Sequence, residues 1–175
     1  MTEAQLSNAM DAYGSTVYRL ALTRMQNIAD AEDVYQEVFL RLWKQAAEDW
    51  DGDRAKAWLI RTTLNRCADL HRFHLRRPVL SFAEIPDLAQ PEDESRELWE
   101  AVSRLPEKAR TAGHLYYAEG YSAEEISQLM HIPAATVRTR LHRARKQLKE
   151  LLGGIDDETC VSRSDGTNFG PQRAE

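Results

Sequence analysis

At 175 residues and 42% hydrophobic content, the chain has room for one globular domain or two small ones. Its six prolines and eight glycines are few, and its apolar residues recur at helical rather than alternating spacing, which excludes a β-sandwich or barrel and points to an all-α fold. No apolar run is long enough to span a bilayer, the start MTEAQLSNAMDAYG lacks a leader's basic-then-apolar pattern, and two distant cysteines make no disulfide framework, so a cytoplasmic protein without direct membrane insertion is expected.

A net charge of -5 argues against a protein that coats nucleic acid, but the charge is unevenly spread. Residues 27–53 hold eight acids and two bases, and residues 84–100 hold seven acids and one base. Between and after them, residues 54–77 hold seven bases and one acid, and residues 134–150 hold six bases and one acid. The chain is laid out to touch an anion in two places and something else in between.

In chain order, residues 3–25 are predicted to form a helix interrupted near Gly14, with Tyr13, Val17, Leu20, Ala21 and Met25 inward. A short turn follows, from which Asp30 is expected to cap the next helix. Ala31, Val34, Tyr35, Val38, Phe39, Leu42 and Trp43 there follow the i, i+3, i+4, i+7 pattern of an inner face. Asp33, Gln36, Glu37 and Leu40 are left outside as a candidate partner surface. After the polar turn DWDGD, Asp53 is expected to cap a helix running to about Arg77. It interleaves Trp58, Leu59, Thr62, Ala68, Leu70 and Phe73 with Arg54, Lys56, Arg61, Asn65, Arg66, Arg72, Arg76 and Arg77. Cations mixed with aromatics suit phosphate contact plus base stacking on opened nucleic acid. Cys67, His71 and His74, at i, i+4 and i+7, share a helix face and form a candidate metal cluster without an evident fourth ligand.

Residues 78–93, with Pro78, Pro86 and Pro91, show no sustained period and read as a flexible linker. They separate a domain of residues 1–77 from one of residues 94–152, and the polar, aperiodic residues 153–175 read as a disordered tail. In the second domain Leu98, Trp99 and Val102 are expected inward on one helix, and Ala109, Ala112, Leu115 and Tyr116 on the helix that Pro106 starts. Ser122 and Glu125 have capping-box spacing ahead of Ile126, Leu129 and Met130. His131-Ile132-Pro133 then ends that helix and opens another. Val137, Leu141, Ala144, Leu148 and Leu151 form its apolar stripe, opposite Arg138, Arg140, Arg143, Arg145, Lys146 and Lys149. Two helices, a tight turn, and a second helix apolar behind and cationic in front describe a helix-turn-helix.

These parts in this order resemble the extracytoplasmic-function (ECF) sigma factors, small promoter-recognition subunits of bacterial RNA polymerase. The resemblance is carried by DAEDVYQEVFLRLWK (residues 30–44), AKAWLIRTTLNRCADLHRFHLRR (residues 55–77), LPEKAR and GYSAEEISQLMHIPAATVRTRLHRARKQL. It implies that Asp33, Gln36, Glu37 and Leu40 dock on the β′ clamp helices of core polymerase, which also offers its β subunit. It implies that the helix bearing Arg54, Lys56, Trp58, Arg61, Asn65, Arg66, Arg72, Arg76 and Arg77 melts and reads the −10 element. It assigns Ala134, Ala135, Thr136, Arg138 and Thr139 to base edges of the −35 element, and Arg140, Arg143 and Lys146 to phosphates. An anti-sigma protein is the implied inhibitor. No cofactor and no catalytic role are expected, since no nucleophile-base pair or phosphate-binding glycine loop is present. The family's usual glycine in the turn is replaced by His131, at an expected cost of roughly 1 kcal/mol. A free-standing helix-turn-helix regulator and a metal-sensing helical protein are the competing readings. The promoter sequences and the inhibitor's signal are not encoded legibly.

Overall fold

The computed structural model describes residues 2–45, 52–76 and 93–153, without the side chains of 93–96. The described residues are helical throughout: α1 (Glu3–Met25), α2 (Ile28–Lys44), α3 (Gly52–Arg76), α4 (Asp93–Ser103), α5 (Glu107–Gly113), α6 (Ala123–Met130) and α7 (Ala134–Leu151). A π-helical turn, His114–Ala118, continues α5. The expected linker and tail, and Arg77, lie outside the described residues.

Helices α1 to α3 enclose a first core, with Val17, Ala21, Val34, Val38, Leu42 and Leu59 among its buried side chains. Gly14 does not interrupt α1. It is buried, and a Cβ there would stand 3.0 Å from the Tyr35 hydroxyl, so the glycine lets α2 approach. Gln26, in the left-handed conformation at φ 51°, ends α1. Asn27, not Asp30, then caps α2, its side chain accepting from the Asp30 amide at 3.0 Å. Either residue has capping chemistry, and the chain reversal at Gln26 decides which one meets the free amides. Asp53 likewise lies inside the first turn of α3 rather than before it. Trp43, expected inward, is 42% exposed in the last turn of α2, and Phe73 of the basic-aromatic helix is 53% exposed near the C-terminal end of α3.

The second unit departs more from its pattern. Leu98 and Trp99 are 48% and 44% exposed, while Ala101 and Leu105 are buried instead. Helix α4 is short, and the neighbouring surface, where Leu105 meets Ala109 and Ala144, selects which side turns in. The stripe on α7 holds at Val137, Leu141 and Ala144, weakens at half-buried Leu148 and fails at Leu151, 43% exposed at the end of the helix.

The helix-turn-helix forms as its residues require. The Ser122 hydroxyl accepts from the Glu125 amide at 3.2 Å, and the Glu125 carboxylate accepts from the Ser122 amide at 2.8 Å. His131 takes the left-handed conformation (φ 51°, ψ 47°), and the Ile132 amide donates to the Ser127 carbonyl at 3.1 Å. Pro133 then stands as N-cap of α7, where its missing N–H costs nothing.

The two units are not separate bodies. Leu20 of α1 and Ile60 and Leu64 of α3 are buried with Ala112, Leu115, Ile126, Leu129, Val137 and Leu141 in a shared second core. Each large aliphatic side chain there stabilises the packed form by about 2 kcal/mol.

The turn supplies a stability test. His131→Val should unfold at lower denaturant concentration than His131→Gly, with a gap of about 1–2 kcal/mol, because a β-branched side chain is costliest at positive φ. Equal midpoints in urea titration would remove the backbone strain assigned to this position.

Candidate nucleic-acid interface

On α7, Ala135, Arg138, Thr139, Arg143 and Lys146 face solvent, whereas Ala134, Thr136 and Arg140 are half-buried. The guanidinium of Arg138 pairs with the Glu124 carboxylate of α6, an exposed contact between the two helices of the motif. Thr139 returns its hydroxyl hydrogen to the Ala135 carbonyl at 2.9 Å. The front of the helix therefore presents one exposed guanidinium near its start and further cations along its length.

On α3, Arg54, Arg61, Asn65, Arg72 and Arg76 are exposed. Arg66 is half-buried, and its Nε is enclosed without a hydrogen-bond partner. Trp58, a candidate stacking surface, is half-buried against the first core, which leaves only part of its ring for a ligand. Lys56 is engaged rather than free. Its ammonium lies 3.1 Å from Glu119 Oε2 and 5.4 Å from the centroid of the Tyr121 ring.

On the acidic helix α2, Asp33, Gln36 and Leu40 are exposed and Glu37 half-buried. Arg41 donates to Glu37 at 2.9 Å, and that bond holds the Glu37 carboxyl below its ordinary range. Trp43, one helical turn beyond Leu40, extends the exposed apolar strip. The heptad-like pattern had assigned it inward, so it was missed as a surface residue.

The candidate metal cluster does not converge. Cys67 is fully buried in the first core, and that burial pushes its thiol up to about 12. His71 faces Glu107 at 3.9 Å, whereas His74 faces Asp30 at 3.6 Å. Among the described residues no group of three or more His, Cys, Asp or Glu could hold a metal ion. Helical spacing put the three side chains near one face, and packing gave each a different neighbour.

The polar contacts between the units were not foreseen from sequence. Arg110, 6% exposed, donates to the carbonyls of Thr23 (2.5 Å), Leu105 (2.7 Å), Ser103 (3.1 Å) and Arg24 (3.3 Å). One guanidinium thus satisfies carbonyls at the C-terminal ends of α1 and α4, where a cation is also favoured by the helix dipoles. Glu107 pairs with Arg24, and Gln26 donates to Ser103 at 2.7 Å. Near the π-helical turn, His114 Nδ1 lies 3.2 Å from the Thr23 hydroxyl. The only sequence signal was a cation set in the run of small residues Ala109 to Ala112.

A capped turn between two helices, with a cationic second helix packed on a separate helical unit, defines a helix-turn-helix protein of two units. Residues 9–77 match the family described as Sigma-70 region 2, and residues 95–148 match Sigma-70, region 4. The chain is 33% identical over 161 residues to the ECF RNA polymerase sigma factor SigE of Mycolicibacterium smegmatis, covering 86% of this chain and 62% of that one, less than two thirds of its length. It is 32% identical over 155 residues to the ECF RNA polymerase sigma factor SigM of Bacillus subtilis, covering 83% and 94%. The fold matches that of the sigma factor RpoE from Bartonella quintana, solved with the anti-sigma factor NepR, at a TM-score of 0.72 and 24% identity over 85% of this chain and 97% of that one. The chain belongs to the ECF RNA polymerase sigma factor family. Among the described residues no helix is long and apolar enough to cross a membrane.

His114 makes the packing pH-dependent. Burial lowers its pKa, opposed by the Glu119 carboxylate 3.9 Å away and reinforced by Arg19. The folded state therefore binds fewer protons here than the unfolded chain, and stability is lost as pH falls below the ordinary histidine value of about 6.5. Thermal unfolding between pH 7.5 and pH 5 should show a steeper fall for the native chain than for His114→Gln. Parallel curves would assign the acid sensitivity elsewhere.

Proposed function

We propose that this protein is a promoter-directing sigma factor: it binds core RNA polymerase and specifies initiation through −10 and −35 elements. The observation that carries the reading is the order of matches, region 2 followed by region 4 in one chain, with exposed basic faces on α3 and α7. A free-standing helix-turn-helix regulator would need only the second half. In this reading residues 1–77 anchor and melt, residues 78–93 span, and residues 94–152 read the −35 element.

The roles follow from the faces. Asp33, Gln36, Glu37 and Leu40, joined by Trp43, form the surface offered to the β′ clamp helices, and the β subunit receives the second unit. Arg54, Lys56, Arg72, Arg76 and Arg77 hold the backbone around the −10 element. Trp58, Arg61, Asn65 and Arg66 lie along the same helix to capture unstacked bases, a step that costs a few kcal/mol per base. In the major groove, Ala134, Ala135, Thr136, Arg138 and Thr139 meet base edges, and Arg140, Arg143 and Lys146 meet phosphates. The protein supplies no bond-making chemistry, which belongs to polymerase, and it works in the cytoplasm. An anti-sigma protein is its inhibitor, as NepR is the anti-sigma factor bound to the Bartonella quintana sigma factor that shares this fold.

The test is transcription in vitro with core polymerase and promoter fragments selected by the reconstituted holoenzyme. Core plus this protein should initiate at those fragments, and core alone should not; failure of the protein to bind core sinks the reading. Arg138→Ala should lower −35-dependent initiation about tenfold or more and alter base preference, in line with about 1–3 kcal/mol for a base-reading arginine. Arg143→Ala should weaken initiation without changing preference. Identical preference shifts in both variants would overturn the division into base and phosphate contacts.

A further inference from the structure

The two helices of the reading motif share one exposed contact that neither the cap nor the core requires. Glu124 and Glu125 stand side by side in the first turn of α6. Glu125 is engaged in the capping box with Ser122, whereas the Glu124 carboxylate accepts from the guanidinium Nη2 of Arg138 on α7. The side chains of Arg138 and Glu124 are 60% and 59% exposed, so the pair adds little to stability. What it fixes is position. Ile126 and Leu129 of α6 pack with Val137 and Leu141 of α7 in one core, and the Ser127 hydroxyl donates to the Ile132 carbonyl at 2.6 Å across the turn. The backbones that bear Glu124 and Arg138 are thus held, and the carboxylate selects one placement among the many open to a long arginine side chain. Thr139, next in the sequence, has its own hydroxyl tied to the Ala135 carbonyl, so both exposed polar readers start from fixed positions.

We infer that Glu124 is a positioning residue for −35 reading: it holds the Arg138 guanidinium in place for a base edge and keeps it from settling on a phosphate. This deepens the sigma-factor reading and rests on it. An acid beside a reader helix is unfavourable toward every phosphate it approaches, whatever the sequence, so it lowers affinity for DNA in general. Its benefit lies in discrimination, which is a difference between affinities rather than an affinity. A guanidinium carries several N–H donors on a planar fork. With Nη2 facing Glu124, the remaining donors can still be offered in a pair to guanine O6 and N7, the pairing that specifies a base. A phosphate would have to displace the carboxylate already there, or share a guanidinium whose charge is partly neutralised. Ordering the arginine before contact also removes part of the side-chain entropy that binding would otherwise cost. Arg143 and Lys146, exposed further along α7, are left to the phosphates.

The test compares Glu124→Gln, Arg138→Ala and the double variant, each as the full chain in holoenzyme, by selection from promoter fragments randomised over the −35 element. Glutamine keeps the length and an acceptor but removes the charge, and at an exposed site it leaves folding intact. Glu124→Gln should reduce preference about three- to tenfold at the base position that Arg138→Ala alters, and should steepen the salt dependence of promoter binding by about one phosphate contact. In the Arg138→Ala background, Glu124→Gln should leave base preference as it was. A salt bridge that only braces the motif would move neither preference nor salt dependence. Unchanged preference in Glu124→Gln overturns the positioning role, and so does a further shift in the double variant, which would mean that Glu124 meets a base itself. If Arg138→Ala shifts no preference, the inference falls with the base assignment of Arg138, while promoter-directed initiation stands. A chain that does not bind core sinks the sigma-factor reading, and NMR relaxation of the Arg138 Nε–H in the free full chain then decides the hold. Glu124→Gln should raise the mobility of that side chain, and equal mobility overturns the inference.

Discussion

A single buried guanidinium organises the relation between the two halves of this molecule. Helices α1 and α4 both end in carbonyls that their own backbones cannot satisfy, and both ends point into the same region. Arg110 answers both, with its three nitrogens shared among four carbonyl oxygens. Burial alone would lower its pKa, and the neighbouring Glu107 carboxylate works against that loss. Losing the side chain would leave several buried carbonyls unpaired at about 1–3 kcal/mol each, a large fraction of a domain's stability. The apolar contact of Leu20, Ile60 and Leu64 with the helix-turn-helix unit lies in the same contact between the units.

The chain is acidic overall, and its cations are concentrated on two helices. The basic faces of α3 and α7 are local, and single carboxylates outside the acidic stretches supply the opposing charges in the contacts between units. Glu107 meets Arg24 and Glu119 meets Lys56. In the proposed reading, high intrinsic affinity for DNA is not needed when polymerase holds both units near the promoter, since tethering converts the second contact into an intramolecular one. The π-helical turn is the local irregularity that sets the Glu119 carboxylate opposite Lys56.

Much of the candidate site was legible in the sequence because it depends on local rules. The capping box, the left-handed His131 and Pro133 define the turn within a dozen residues, and each acts through its own backbone. The apolar stripes of α2 and α7 were legible where a neighbouring helix lies along their length. They failed at Trp43 and Leu151, and the pattern of α4 failed at Leu98 and Trp99, at helix ends or on a short helix, where periodicity cannot say whether a neighbour is present. Cys67, His71 and His74 failed for a related reason. Spacing brings side chains to one face but does not choose what each will meet.

By itself the sequence determined an all-helical chain, the helix-turn-helix, the alternation of acidic and basic faces, and the family, because these follow from propensity, caps and short-range order. The tertiary structure alone decided that the two units share a core, that Lys56 is occupied, and that Arg110, His114 and Glu119 have interdomain roles. Those contacts join residues 63 to 103 positions apart in the chain, as with Lys56 and Glu119 or Thr16 and Glu119. No local pattern encodes such a pairing; it exists only once two apolar faces have closed and their buried polar groups must find partners.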